Sequence, residues 1–135
     1  LLLIFTLHAI FQVKEVVNGI SEESTRKEIA GYINSVHRSN PDVRIICEDG
    51  GVRMLSGVPA EKFLISSNLP AGHASFMNRL KQDRVEYLVT TDWEVSTPTK
   101  LFPELKEGTG NDIFQPVMRA ESKYSSLKLW VYRIR

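Results

Sequence analysis

Cysteine is nearly missing from this chain: Cys47 is the only one in 135 residues, which excludes an internal disulfide framework and a cysteine-based zinc site. It sits in the apolar run Val43-Arg44-Ile45-Ile46-Cys47 and reads as a small buried side chain. An excess of one charge is also missing. Seventeen Lys and Arg stand against sixteen Asp and Glu, interspersed, for a net charge of +1. That leaves no basic stripe of the kind a phosphate backbone requires, so nucleic acid is not expected as a partner. Histidine is scarce as well: His8, His37 and His73 are all far apart in sequence, and no metal site or cofactor is expected. There is no G-x-G-x-x-G, no phosphate loop, and no G-x-S-x-G around Ser56 or Ser66-Ser67. No residue is therefore assigned a catalytic role. Internal repeats and low-complexity tracts are absent, and six Pro with eight Gly are too few for a disordered or fibrous chain.

What is present suffices for one domain. Hydrophobic residues at 42% and charged residues at 24% are the proportions of a globular core with a solvated surface. The N-terminus departs from this average. From Leu1 to Val13 no residue carries a formal charge, and the first that does is Lys14. As a helix those residues reach about 20 Å, short of the roughly 30 Å of a hydrocarbon core. Leu2, Leu3, Ile4, Phe5, Leu7, Ile10 and Phe11 point in every direction of a helical wheel, so no polar face is expected. Residues 1–17 are read as the end of a transmembrane helix belonging to a longer polypeptide, and residues 18–135 as a single soluble α/β domain. A buried core helix and a signal-peptide remnant are the rivals. The remnant lacks a basic leading region and a small-residue cleavage site.

Beyond a join at Asn18-Gly19-Ile20, a helix is predicted over Ser21 to Arg38. Ser21 is its N-cap, Glu22 and Glu23 lie in its first turn, and Ile29, Tyr32, Ile33 and Val36 form an apolar face. Asn40-Pro41 ends it. A strand follows at Val43 to Cys47, a turn at Glu48-Asp49-Gly50-Gly51, a short apolar stretch at Val52 to Leu55, and a further strand at Lys62 to Ser66. A second helix, Ala74 to Gln82, feeds a strand at Val85 to Thr90. Asp92 to Gly110 is expected to be long and irregular apart from a helical turn at Pro103 to Lys106. Ile113 to Arg119 and Leu127 to Ile134 read as an antiparallel pair, the first at an edge because of Pro116 and the second covered on both faces. The fold class is α/β, a small mixed sheet with a parallel core and an antiparallel C-terminal edge pair, flanked by helices.

If the strands at Val43 and Val85 are parallel neighbours, Glu48 and Asp49 emerge on the same edge as Asp92, where open α/β sheets bind ligands. Asp49-Gly50-Gly51 would then set backbone amides beside a ligand, although no helix is expected to start at those glycines. The plainer reading is that Asp and Gly make a tight turn and Asp92 ends a strand. Trp93, Phe102, Phe114, Tyr124, Trp130 and Tyr132 concentrate in the C-terminal half, either as stacking surfaces for sugars or as core packing. Glu48, Asp49, Asp92 and Trp93 are the candidate ligand-binding residues.

A series of short strings carries a resemblance. The apolar helix end and the charged helix Ser21 to Arg38 precede Asn40-Pro41-Asp42-Val43-Arg44-Ile45. Leu55-Ser56-Gly57-Val58-Pro59 with Glu61-Lys62-Phe63 comes next, then Arg84-Val85-Glu86-Tyr87-Leu88-Val89, Leu101-Phe102-Pro103-Glu104-Leu105, Phe114-Gln115-Pro116-Val117 and Leu129-Trp130-Val131-Tyr132-Arg133. Over most of residues 21–135 this resembles the extracytoplasmic C-terminal domain of bacterial polytopic membrane glycosyltransferases, relatives of the dolichyl-phosphate-mannose-protein mannosyltransferases. The resemblance implies a transferase that takes sugar from a polyprenyl-phosphate donor, whose catalytic acidic residue and lipid site lie in the membrane part. No residue here matches that motif. It further implies a non-catalytic accessory domain on the extracytoplasmic side, binding an acceptor glycan or protein, contacting partners, or bracing the membrane part of the same polypeptide. Two other readings stay open: a free-standing small α/β enzyme or nucleotide-binding domain using Glu48, Asp49 and Asp92, and a soluble interaction module whose N-terminal helix is core.

Overall fold

The computed structural model describes residues 2–92 and 95–135, with side chains from residue 6 onward. Its first element is a single helix, α1 (Leu2–Ser39), of 38 residues and about 57 Å at 1.5 Å per residue. The expected join at residues 18–20 and the N-cap role of Ser21 are both overturned, because the helix runs through them without a break. A glycine inside a helix costs about 1 kcal/mol, and Gly19 has open space around it, so this small local penalty does not stop an otherwise favourable helix. The boundary drawn between residues 17 and 18 falls inside this helix.

The two halves of α1 have different surroundings. In the second, Ser21, Thr25, Ile29, Ala30 and Ile33 are buried at helical spacing against the sheet. In the first, residues 6–20 are exposed apart from the half-buried Asn18. A polar line does run along that half, through His8, Gln12, Glu15 and Gly19 at i, i+4, i+7 and i+11, with the His8 ring nitrogen 3.1 Å from the Gln12 amide. No helix among the described residues is long and apolar enough to cross a membrane.

The sheet follows the expected class. β1 (Arg44–Cys47), β2 (Phe63–Leu64), β3 (Val85–Thr91), β4 (Phe114–Glu121) and β5 (Lys128–Ile134) lie in the order β2-β1-β3-β5-β4. β1 is parallel to β2 and β3, whereas β5 is antiparallel to β3 and β4. The predicted strand at Lys62 to Ser66 shrinks to two residues. β4 is an edge strand as Pro116 requires, and its pairing shifts register between Pro116 and Met118.

Side-chain alternation divides the core into two layers. Ile45, Cys47, Val89, Leu129 and Val131 pack with Ile29 and Ile33 of α1 and with Val52 of α2 (Gly50–Ser56). Ile46, Leu88, Trp130 and Tyr132 face Phe76 and Leu80 of α3 (His73–Gln82), together with Phe102, Leu105 and Phe114. Strand β5 is buried on both sides, as its apolar run implied. The stretch from residue 95 to Gly110 is more ordered than expected. It holds α4 (Thr97–Leu101), capped reciprocally by Ser96 and Thr99, and a 3₁₀ turn at Pro103–Glu107.

Tyr132 closes the second layer by donating its hydroxyl to the Leu105 carbonyl at 2.8 Å. Burial first, and the nearby Glu104 charge second, push its phenol up to about 12. The folded state therefore holds a proton that the unfolded chain releases near pH 10. Stability is expected to stay level up to about pH 10 and to fall between pH 10 and 12, with a shallower fall in Tyr132→Phe, as read from urea midpoints across that range. Removing residues 1–16 should leave the thermal midpoint within about 2 °C of the parent, while Ile33→Ala costs about 3 kcal/mol in urea unfolding. Loss of cooperative unfolding on truncation would show the first half of α1 to be core.

Candidate functional site

The carboxyl ends of β1 and β3 do meet on one edge, since the strands are parallel neighbours with Ile46 opposite Leu88 and Cys47 opposite Val89. Glu48, Asp49 and Asp92 all leave from it. Each carboxylate is engaged by the fold. Glu48 accepts the backbone N–H of Ser66, just beyond β2. Asp92 Oδ1 accepts the Lys128 N–H at 3.2 Å, where β5 begins. Asp49 is only 8% exposed and caps α2, accepting the Val52 N–H at 2.8 Å. The expected turn at Gly50-Gly51 is thus the start of a helix, contrary to the sequence-based reading.

Asp49 also receives Arg26 of α1, whose Nε lies 3.0 Å from Oδ2, while Nη1 of the same guanidinium is 3.4 Å from Glu22. Gly51 makes room for this contact. A Cβ there would stand 2.5 Å from Arg26 Cδ, so any larger residue would displace the arginine. Together Glu23, Arg26, Asp49, Gly50, Gly51, Met54 and Leu55 border an open hollow of about 550 Å³. The arginine at its border is paired with two carboxylates, and α2 spans only 7 residues.

A second mesh ties together the segments that follow β2 and precede α4. Ser66 Oγ accepts the Thr97 N–H at 2.9 Å, and Thr97 Oγ1 donates to the Ser66 carbonyl at 3.3 Å. Trp93, the fourth candidate, lies outside the described residues. Of the other aromatics in the C-terminal half, Phe102, Phe114, Trp130 and Tyr132 are core, and Tyr124 alone is well exposed, at 55%.

Cys47 is fully buried, and burial, reinforced by the Asp49 charge, pushes its thiol well above the ordinary range. It is built for packing, not for nucleophilic attack. No group of His, Cys, Asp and Glu among the described residues is arranged to hold a metal ion.

Residue patterns missed two features. Arg26 carried no assigned role in the sequence, and only the fold brings it to Asp49, 23 positions away. Ser21 looked like a helix cap, whereas its hydroxyl lies 2.7 Å from that of Ser122 and accepts the Lys123 N–H at 3.0 Å, about a hundred residues on. No local signal announces either contact.

Set beside known proteins, the chain matches no family model, no curated protein and no solved structure.

The engaged acids make a clear forecast. Asp49→Ala should cost about 2–3 kcal/mol through the lost helix cap and the lost partner of Arg26, and Asp92→Ala about 1 kcal/mol or less, both by urea unfolding. Equal, negligible costs at the two positions would indicate that this edge is free to serve a ligand.

Proposed function

We propose that the chain is a non-catalytic extracytoplasmic domain of a membrane glycosyltransferase, held at the membrane by the first half of α1. One observation carries the reading. Seven apolar side chains between Leu7 and Ile20 are exposed on a helix that continues unbroken into the core of an α/β domain. Exposed apolar surface of this extent is costly in water and marks an interaction site. The sugar-transfer part of the reading rests on the resemblance of the strings from Asn40 to Arg133. The non-catalytic part is supported by the engagement of Glu48, Asp49 and Asp92 in structural bonds, and the domain would bind an acceptor or partner, or brace the membrane part of the same polypeptide.

The test uses the longest polypeptide containing this chain, expressed in a bacterial host with alkaline phosphatase fused after Arg135. The fusion is expected to be active outside the cytoplasm and to stay with the membrane after a carbonate wash. Membranes carrying the protein should transfer labelled sugar from a polyprenyl-phosphate donor, whereas the 135-residue chain alone should not. A fusion recovered free in the cytoplasm, or a thermal shift of the isolated chain by a nucleotide, would replace this reading with that of a soluble binding domain.

A further inference from the structure

The side of α1 opposite His8, Gln12, Glu15 and Gly19 is centred on Ile10 and Val17, flanked by Val13 and Ile20 on one side and by Lys14 and Leu7 on the other. Ile10, Val13 and Ile20 are 61%, 63% and 65% exposed. Farther along the same side, the turn between β4 and β5 docks on the helix. Ser21 Oγ accepts the N–H groups of Lys123 and Tyr124 at 3.0 and 3.3 Å, which fixes that turn beside the end of the apolar face. Val17, Ile20 and Tyr124 border a shared cavity of about 350 Å³. The Lys123 ammonium stands 5.2 Å from the centre of the Tyr124 ring. Helix face and hairpin tip thus form one continuous surface, apolar along the helix except for Lys14 at its rim and ending in an exposed Tyr and Lys.

We propose that this surface lies in the headgroup–acyl boundary of a lipid bilayer, with residues 7–20 parallel to the membrane plane and the tip at Lys123-Tyr124 as a second point of contact. The inference rests on the reading above only in supplying a bilayer. Tyr and Lys are suited to that boundary, since each has an apolar body and a polar end that reaches water. A lying helix keeps His8, Gln12 and Glu15 on its water-facing side while the opposite face and the hairpin tip meet the bilayer together. A second copy of the chain is the weaker occupant. Its seam of Ile10, Val13, Val17 and Ile20 is interrupted by Thr6 on one side and by Ser24 and Lys27 on the other. Two heptads fall short of the three to four that sustain a coiled coil. Charge contributes little, since Lys14 and Lys123 beside the surface are offset by Glu28 and Glu121 at the cavity. Binding should therefore be driven by apolar burial and change little with salt.

The test places a nitroxide at each position from 9 to 20, and at 124, in the 135-residue chain carrying Cys47→Ala. Depth is then read by oxygen and nickel accessibility on phosphatidylcholine vesicles. Depth should oscillate with the helical period, greatest near positions 10, 13 and 17 and least near 12, 15 and 19, with position 124 also immersed. Val17→Glu should weaken vesicle binding about tenfold and Tyr124→Ser about threefold, with unfolding midpoints unchanged. A depth that changes steadily along the helix would mean that it crosses, and would overturn the proposal. So would a chain that stays off the vesicles and sediments as a dimer dispersed by Val17→Glu. Absence of sugar transfer with the oscillation intact would remove the glycosyltransferase reading alone.

Discussion

The whole structure depends on covering both faces of β1, β3 and β5 at once. Their side chains alternate between two apolar layers, with Ile45, Cys47, Val89 and Val131 on one side and Ile46, Leu88 and Tyr132 on the other. A strand apolar on both faces is stable only between two coverings. The second half of α1 with α2 supplies one, and α3 with the segment from Phe102 to Leu105 supplies the other. The antiparallel return of β5 between β3 and β4 follows from the same need, because it sets the most apolar strand of the C-terminal third in the middle and the proline-bearing β4 at the rim.

The acidic edge shows how much of a charged cluster's chemistry the fold itself absorbs. Asp49 caps a helix and holds an arginine from another layer, Glu48 secures the chain after β2, and Asp92 secures the start of β5. A nearly buried carboxylate needs such partners, since burial without them costs several kcal/mol. Acidic residues at strand ends are thus a weak sign of a binding site. The same residue types are what a small α/β domain uses to tie its loops to its strands.

Elements with a single periodicity were legible in the sequence. Ile29, Ile33 and Val36 marked the packed face of α1, and the run Val85 to Thr90 marked β3 to within one residue. The paired C-terminal strands and the edge position of Pro116 were legible for the same reason. What was missed turned on residues whose preference serves two structures. Asp49-Gly50-Gly51 suits a tight turn and a helix start equally, and only the Val52 N–H on the carboxylate decides between them. Asn18-Gly19 suits a break, yet the packing of residues 21–33 carries the helix through it. The ties from Ser21 to Ser122 and from Arg26 to Asp49 were invisible because no rule of spacing links such distant positions.

The unbroken course of α1 through Asn18-Gly19-Ile20 sets a rotational phase. Each residue turns the helix by about 100° and advances it by 1.5 Å, so the azimuth of the exposed apolar face relative to the sheet is a matter of residue count. Inserting one residue between the halves would swing the domain by more than a quarter turn about the helix axis and part Val17 from the turn at Tyr124. Seven would extend the arm by about 10 Å while restoring the azimuth to within about 20°. Changes in the length of this segment that keep the azimuth are therefore those near whole helical turns, about seven or about eleven residues.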